Sequence, residues 1–267
     1  MKIRTVAHNS FGSFLHSKVH YAMGLLFLVF FLFGLFNVYS FKHMTTASNA
    51  LQMQQHMMHD ISNSIVLLYG LGNLLAAWAA ADSIASEIKS GTILAVMARP
   101  LHRWQFLAGK YLAVLMLMSI YAMTVFGITY LLLSLGGQPF YISGWALVIY
   151  PLVRYAIWAA IAMFLGTFLN PIIVISIVAF LLSVIAFMST PMAVNRIPAW
   201  IQMPLHVALP MTTVVLDESR FFNMTQAALH RYPWTDHLTA LTYGIDYALV
   251  FFLLAIALFQ RRSIACG

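Results

Sequence analysis

Three polar side chains lie inside long apolar stretches of the sequence, where they would be costly if those stretches cross a membrane. Arg154 and Asp246 lie about ten and about seven residues into two stretches, and Asn73 lies within a third. At 1.5 Å per residue, Arg154 and Asp246 would both be roughly 10–15 Å below a membrane surface. A charge at the bilayer centre costs about 2.5–3.5 kcal/mol on insertion scales. The pattern indicates a polar patch lining a pathway, a structural clamp in which Arg154 pairs with Asp246, or an Arg154 that reaches the interface.

Histidine and methionine crowd the segment that follows the first apolar stretch, and both are metal ligands. The sequence reads His56-Met57-Met58-His59. His56 and His59 are spaced i, i+3 and would share one face of a helix, and imidazole with thioether suits copper or zinc. Because methionine is common throughout this chain, at 16 residues, an amphipathic interfacial segment explains the pattern as well. His56, Met57 and His59 are therefore candidate metal ligands beside that alternative.

No motif of nucleotide hydrolysis or proteolysis is present. Gly109-Lys110 is the nearest approach to a phosphate-binding loop, but Trp104 replaces the first glycine of that motif and Tyr111 its hydroxyl residue. Neither G-x-S-x-G nor H-E-x-x-H occurs. We predict no catalytic residue and no cofactor bound by this chain.

The composition is that of a polytopic α-helical membrane protein forming a single domain over residues 1–267. Apolar residues make up 62% and charged residues 8%, with a mean hydropathy of +0.85. Soluble domains have roughly 45–50% apolar residues and about 25% charged residues. The net charge of +7 does not indicate nucleic-acid binding, because the cations lie at the ends of apolar stretches. Cys266 is the single cysteine, so no intrachain disulfide can form.

Six apolar stretches approach or exceed the roughly 20 residues that a membrane-spanning helix needs. The predicted spans are residues 21–41, 64–85, 111–135, 144–168, 172–190 and 239–260. Polar residues 42–63 are predicted to be an exposed loop, and Asn170-Pro171 a tight turn.

The first 20 residues predict an amphipathic helix lying in the membrane interface. Phe11, Phe14, Leu15 and Val19 would form its apolar face, with Ser10 among the residues largely opposite.

The distribution of basic residues predicts that both termini are cytoplasmic. On that topology the inner side holds nine Lys and Arg residues and the outer side four, which satisfies the positive-inside rule. The inner residues are Lys2, Arg4, Lys18, Lys89, Arg99, Arg103, Lys110, Arg261 and Arg262, and the outer ones are Lys42, Arg196, Arg220 and Arg231.

Residues 87–110 form a short basic connection between the second and third predicted spans. Gly91 and Pro100 interrupt it, and the apolar segment 92–98 between them makes about two helical turns. That segment is too short to cross a membrane and too apolar for water. It is expected to lie on the membrane surface or on a partner protein.

The order of residues in this connection resembles the first cytoplasmic loop of ABC-2 type transporter permeases. The matching positions are Glu87, Gly91-Thr92, Arg99-Pro100, Arg103 and Gly109-Lys110. Leu101-His102 departs from the family, which often has a small or β-branched residue there. In that family the loop docks on a separate ATPase subunit. The resemblance therefore implies an ATPase-coupling role for Glu87, Gly91, Thr92, Arg99, Pro100 and Arg103.

The resemblance implies the permease subunit of an ATP-driven ABC exporter in the inner membrane. Six spans would form half of a translocation pathway, so a second permease and membrane lipid are expected partners, with ATP and Mg bound by the partner ATPase subunits. Residues 191–238 would hold a re-entrant outer element before the last span. Pro198, Pro204 and Pro210 interrupt that segment every six residues, which disfavours a seventh span.

An alternative is a membrane scaffold or maturation-complex subunit that translocates no solute itself. It would act through a periplasmic partner, and the His/Met segment would link it to a metal.

Overall fold

The computed structural model describes residues 2–15, 18–44, 50–89, 102–137, 146–188 and 234–261, and within these ranges the chain is helical with short turns and no strand. The helices are α1 (Lys2–Leu15), α2 (Lys18–Met44), α3 (Ala50–Lys89), α4 (Arg103–Leu135), α5 (Ala146–Gly166), α6 (Pro171–Met188) and α7 (Trp234–Arg261). The predicted all-α class is confirmed.

Four of these helices contain a stretch long and apolar enough to cross a membrane. These stretches are Leu67–Glu87, Arg103–Leu135, Val148–Gly166 and Leu241–Arg261. α2 and α6 contribute shorter apolar stretches, Phe27–His43 and Pro171–Val184. The described helices are those of a multi-pass membrane protein, and the count of six spans stays a prediction.

Small residues bring α3 and α5 into close contact at the centre of the bundle. The fully buried alanines of these two helices are Ala76, Ala77, Ala79, Ala80, Ala81, Ala159, Ala160 and Ala162. A Cβ atom on Gly166 would lie only 3.3 Å from the Cα atom of Ala81. Between membrane helices the hydrophobic effect contributes little, so close backbone approach through small residues provides much of the packing. α3 also contacts α2, α4 and α6, which makes it the central helix.

α3 is longer than the span predicted at residues 64–85. Its 40 residues extend over about 60 Å, roughly twice the thickness of a hydrocarbon core. Residues 50–63, which the polar composition predicted to be a loop, are helical. Met57 and Ile61, spaced i, i+4, are both buried in the core there. Packing against other helices thus stabilises a helix whose sequence is too polar to cross the membrane.

α1 places its apolar face against α4. Ala7 and Ser10 are buried, and Phe11 and Phe14 pack against the core. Ser10 therefore lies on the covered side of the helix, which differs from its predicted position opposite the phenylalanines.

The predicted turn at Asn170-Pro171 is present, and α6 begins at the proline. The backbone N–H of Val174 donates to the Asn170 carbonyl at 3.1 Å, which closes the first turn of α6. At the other end of the bundle, Gly137 ends the α4 turn with a φ of +70°, a conformation that favours glycine. Residues 189–233, which include the whole predicted re-entrant element and most of the predicted outer loop, lie outside the described ranges. α7 begins at Trp234, within the segment predicted to be that outer loop.

Candidate functional site

The candidate site lies at the end of the bundle where α3 ends, α4 begins and α7 ends, here called the basic end. The loop predicted over residues 87–110 is shorter in the structure, because Glu87 still belongs to α3 and α4 already begins at Arg103. Gly91, Thr92, Arg99 and Pro100 lie outside the described residues. Of the predicted coupling residues, the structure therefore locates Glu87 and Arg103.

Glu87 and Lys110 form an ion pair that joins the end of α3 to the first turns of α4. The side chain of Lys110 is 8% exposed and that of Glu87 is 22% exposed. The Lys110 ammonium also lies 5.6 Å from the centre of the Phe106 ring, within reach of a cation–π contact. A buried ammonium needs such partners, because losing its hydration is costly.

The start of α4 is set by backbone and side-chain hydrogen bonds around His102. Its extended backbone, with ψ of 141°, precedes the helix, and its N–H donates to the Gln105 Oε1 atom at 3.4 Å. The His102 carbonyl accepts from the N–H groups of Gln105 and Phe106 at 2.9 and 3.3 Å. Arg103 is consequently the first helical residue of α4.

The side chain of Arg103 links the start of α4 to the end of α7. Its guanidinium donates to the carbonyl of Gln260, near the end of α7, at 3.1 Å. A cation at a helix C-terminus satisfies a carbonyl that has no partner within the helix and complements the helix dipole. The rings of Phe106 and Phe259 stack beside it, with centres 6.2 Å apart. α4 and α7 are thus joined at the basic end.

The polar residues predicted inside the spans are not equally buried. Asn73 is 0% exposed, and among the described residues its amide has no hydrogen-bond partner. Arg154 is half-buried on α5, whereas Asp246 is exposed on α7. α5 and α7 pack against each other, so the helices that carry these two charges are neighbours. The pairing of Arg154 with Asp246 stays a prediction.

A sequence model described as ABC-2 family transporter protein matches residues 4–264. The chain belongs to the ABC-2 transporter family. The match covers almost the entire chain and confirms the resemblance seen in the basic connection. No curated protein matches the chain. Membership in this family indicates a membrane subunit of a transporter rather than an enzyme, and implies association with an ABC ATPase.

In this ABC-2 family member, two tyrosines link the central helices through contacts that the sequence analysis did not predict. The Tyr121 hydroxyl donates to the Leu68 carbonyl at 2.7 Å, and the Tyr111 hydroxyl donates to the Ala156 carbonyl at 2.9 Å. Tyr121 also meets Tyr155 edge to face, with ring centres 5.9 Å apart. α4 thereby makes hydrogen bonds to both α3 and α5. Only an aromatic residue carrying a hydroxyl within an apolar stretch could have signalled this role in the sequence.

Of the candidate metal ligands, Met57 and His56 have different surroundings. Met57 is 3% exposed, and its Cε and Sδ atoms lie 3.2 and 3.4 Å from the place a Cβ would take on Gly136. His56 is exposed, and the side chain of His59 lies outside the described part. Within the described residues, no three His, Cys, Asp or Glu side chains are grouped to hold an ion. Because the Met57 thioether is packed in the core, a site that uses it would require the N-terminal part of α3 to move.

Proposed function

We propose that the chain is the permease subunit of an ATP-driven exporter, forming half of the translocation pathway and coupled at the basic end to a separate ATPase. The Glu87–Lys110 ion pair is the observation that carries this proposal. It lies where the predicted coupling connection leaves α3 and re-enters α4, so a force on that connection acts on two joined helices.

The contacts at the basic end support a route by which motion of the ATPase would reach α3, α4 and α7. ATPase subunits that close on ATP would shift the connection, and the ion pair would make α3 and α4 move together. Arg103 and the stacked rings of Phe106 and Phe259 would carry the same displacement to α7. Coupling between distant sites requires such elements with alternative arrangements that both sites can bias. Alternating access of the pathway is the expected outcome.

The partners follow from what the sequence lacks. Without a phosphate-binding loop, ATP and Mg must be held by the ATPase subunits. A second permease, identical or related, would complete the pathway in the lipid of the inner membrane. The positive-inside count supports cytoplasmic termini and a basic end that faces the ATPase.

Charge reversal at the basic connection tests the proposal. The tagged chain is purified with the ATPase that accompanies it and placed in nanodiscs. Arg99→Glu and Arg103→Glu are expected to abolish the stimulation of ATP hydrolysis by the permease, because each replaces a cation of the predicted coupling connection with an anion. Arg4→Glu, an exposed change on α1, is the matched control and should leave stimulation intact.

Two outcomes would contradict the proposal. Normal stimulation after both reversals would exclude the coupling role of these arginines. Purification without any ATPase would favour the scaffold alternative, in which a periplasmic partner would accompany the chain instead.

A further inference from the structure

A cleft of about 240 Å³ opens between α2 and α3, away from the basic end. It is lined by Phe30, Phe33, Asp60, Ser64 and Leu67. The phenylalanines are spaced i, i+3 on α2, and the other three residues i, i+4, i+7 on α3, so each helix contributes one face. Its volume is slightly below the roughly 300–1,000 Å³ typical of small-molecule sites.

The lining of the cleft is amphipathic. Asp60 and Leu67 are seven residues apart on α3, which separates them by about 10 Å along the helix axis. The apolar stretch that can cross the membrane begins at Leu67, so Asp60 lies beyond its end. A molecule in the cleft would meet a carboxylate at the level of the head groups and phenylalanine rings at the level of the acyl chains.

The hydroxyl and amide groups near the cleft are already occupied by their own helices. Ser64 donates to the Asp60 carbonyl at 2.8 Å, and Asn37, in a small adjoining cavity, donates to the Phe33 carbonyl at 3.0 Å. Thr129, which lines the same small cavity, donates to the Val125 carbonyl at 2.8 Å.

The Asp60 carboxylate is the remaining polar group of the cleft. Within the described ranges, no basic side chain lies at ion-pair distance from it. Charge complementarity therefore favours a cation as the group that contacts Asp60.

We propose that this cleft binds a membrane-dissolved amphiphile with a positively charged amine or quaternary ammonium head. The head contacts Asp60, and the hydrocarbon body packs on Phe30, Phe33 and Leu67. This deepens the proposed export function by naming the substrate class, and it rests on that function for the claim that the bound molecule is transported. Binding itself does not depend on an ATPase.

Photolabelling of the full chain in uncharged maltoside detergent tests the inference. The probes are a dodecyltrimethylammonium with a diazirine in its chain and a neutral dodecanol with the same diazirine. The ammonium probe is expected to label peptides that contain Phe33 and Leu67. Asp60→Asn, which keeps the side-chain shape, should reduce this labelling about fivefold, the loss expected for one water-accessible ion pair.

A pair of bulky substitutions controls for altered folding. Leu67→Trp narrows the cleft and should block labelling, whereas Leu28→Trp, on the exposed face of α2, should leave it unchanged. Equal labelling by the charged and neutral probes, or no effect of Asp60→Asn, would overturn the inference. Absence of cleft labelling in the wild type and in every variant would also overturn it.

The same preparations separate this inference from the proposed function. Cleft labelling without any co-purifying ATPase would refute the export function and leave the ligand class intact. Normal ATPase stimulation without cleft labelling would refute the ligand class alone.

Discussion

Lys110 and Glu87 form an ion pair across the hairpin of α3 and α4, at the root of the predicted coupling connection. The ammonium is nearly buried and also faces the ring of Phe106. The pair thus holds the end of α3 against the start of α4 at the basic end. The sequence analysis counted Lys110 among the predicted inner basic residues and did not predict that it positions these two helices.

Reversing one charge of this pair should destabilise the chain, and reversing both should restore it. Glu87→Lys or Lys110→Glu leaves two like charges together, and we expect a loss of about 2–3 kcal/mol, below the roughly 3–5 kcal/mol of fully buried pairs, because Glu87 keeps some exposure. The free energy of unfolding is measured in mixed micelles titrated with a denaturing detergent. If the double reversal were no more stable than either single change, the pair would not be a direct interaction.

Gly72 and Gly70 offer a matched test of packing in the centre of the bundle. A Cβ on Gly72 would overlap with the Tyr155 hydroxyl and would lie 2.8 Å from Cε1 of Tyr121, whereas no atom of the described residues lies within 4 Å of one on Gly70. Gly72→Ala should cost about 1–3 kcal/mol through overpacking. Gly70→Ala should be neutral or stabilise the helix by up to about 1 kcal/mol. Equal melting temperatures of the two variants would show that the tyrosines can move aside.

Replacing Asn73 by an apolar residue should separate stability from function. Its buried amide has no hydrogen-bond partner among the described residues. Leaving such a group without a partner costs about 1–3 kcal/mol of stability, so Asn73→Leu should raise the melting temperature. If the amide belongs to the predicted polar patch, the same variant should lose substrate-stimulated ATP hydrolysis. A more stable protein with full activity would remove Asn73 from the pathway.

The His/Met segment can be tested by comparing stability with metal binding. Met57→Ala is expected to cost about 2–5 kcal/mol, because the methionine fills a core position beside Gly136. Calorimetric titration with Cu(I) or Zn(II) should show no difference between wild type and Met57→Ala. A His56→Ala/His59→Ala variant serves as the comparison. Loss of a stoichiometric binding event in Met57→Ala would establish the thioether as a ligand.

Local features of the sequence determined the class of the protein. The apolar stretches predicted a multi-pass helical bundle because, in lipid, each backbone polar group must be paired within its own helix. The turn at Asn170-Pro171 followed from proline chemistry. The spaced residues from Glu87 to Lys110 carried the resemblance to the ABC-2 family, which the match over residues 4–264 confirms.

The tertiary structure decided which side chains meet. Four findings depend on contacts between separate helices. They are the partner of Lys110, the burial of Ser10, the helical form of residues 50–63 and the hydrogen bond from Tyr121 to Leu68. Hydropathy gives the length of an apolar stretch, but it does not show which face of a helix packs against a neighbouring helix. That choice depends on where small residues such as Ala81 and Gly166 allow two backbones to approach, and it emerges only when the helices pack.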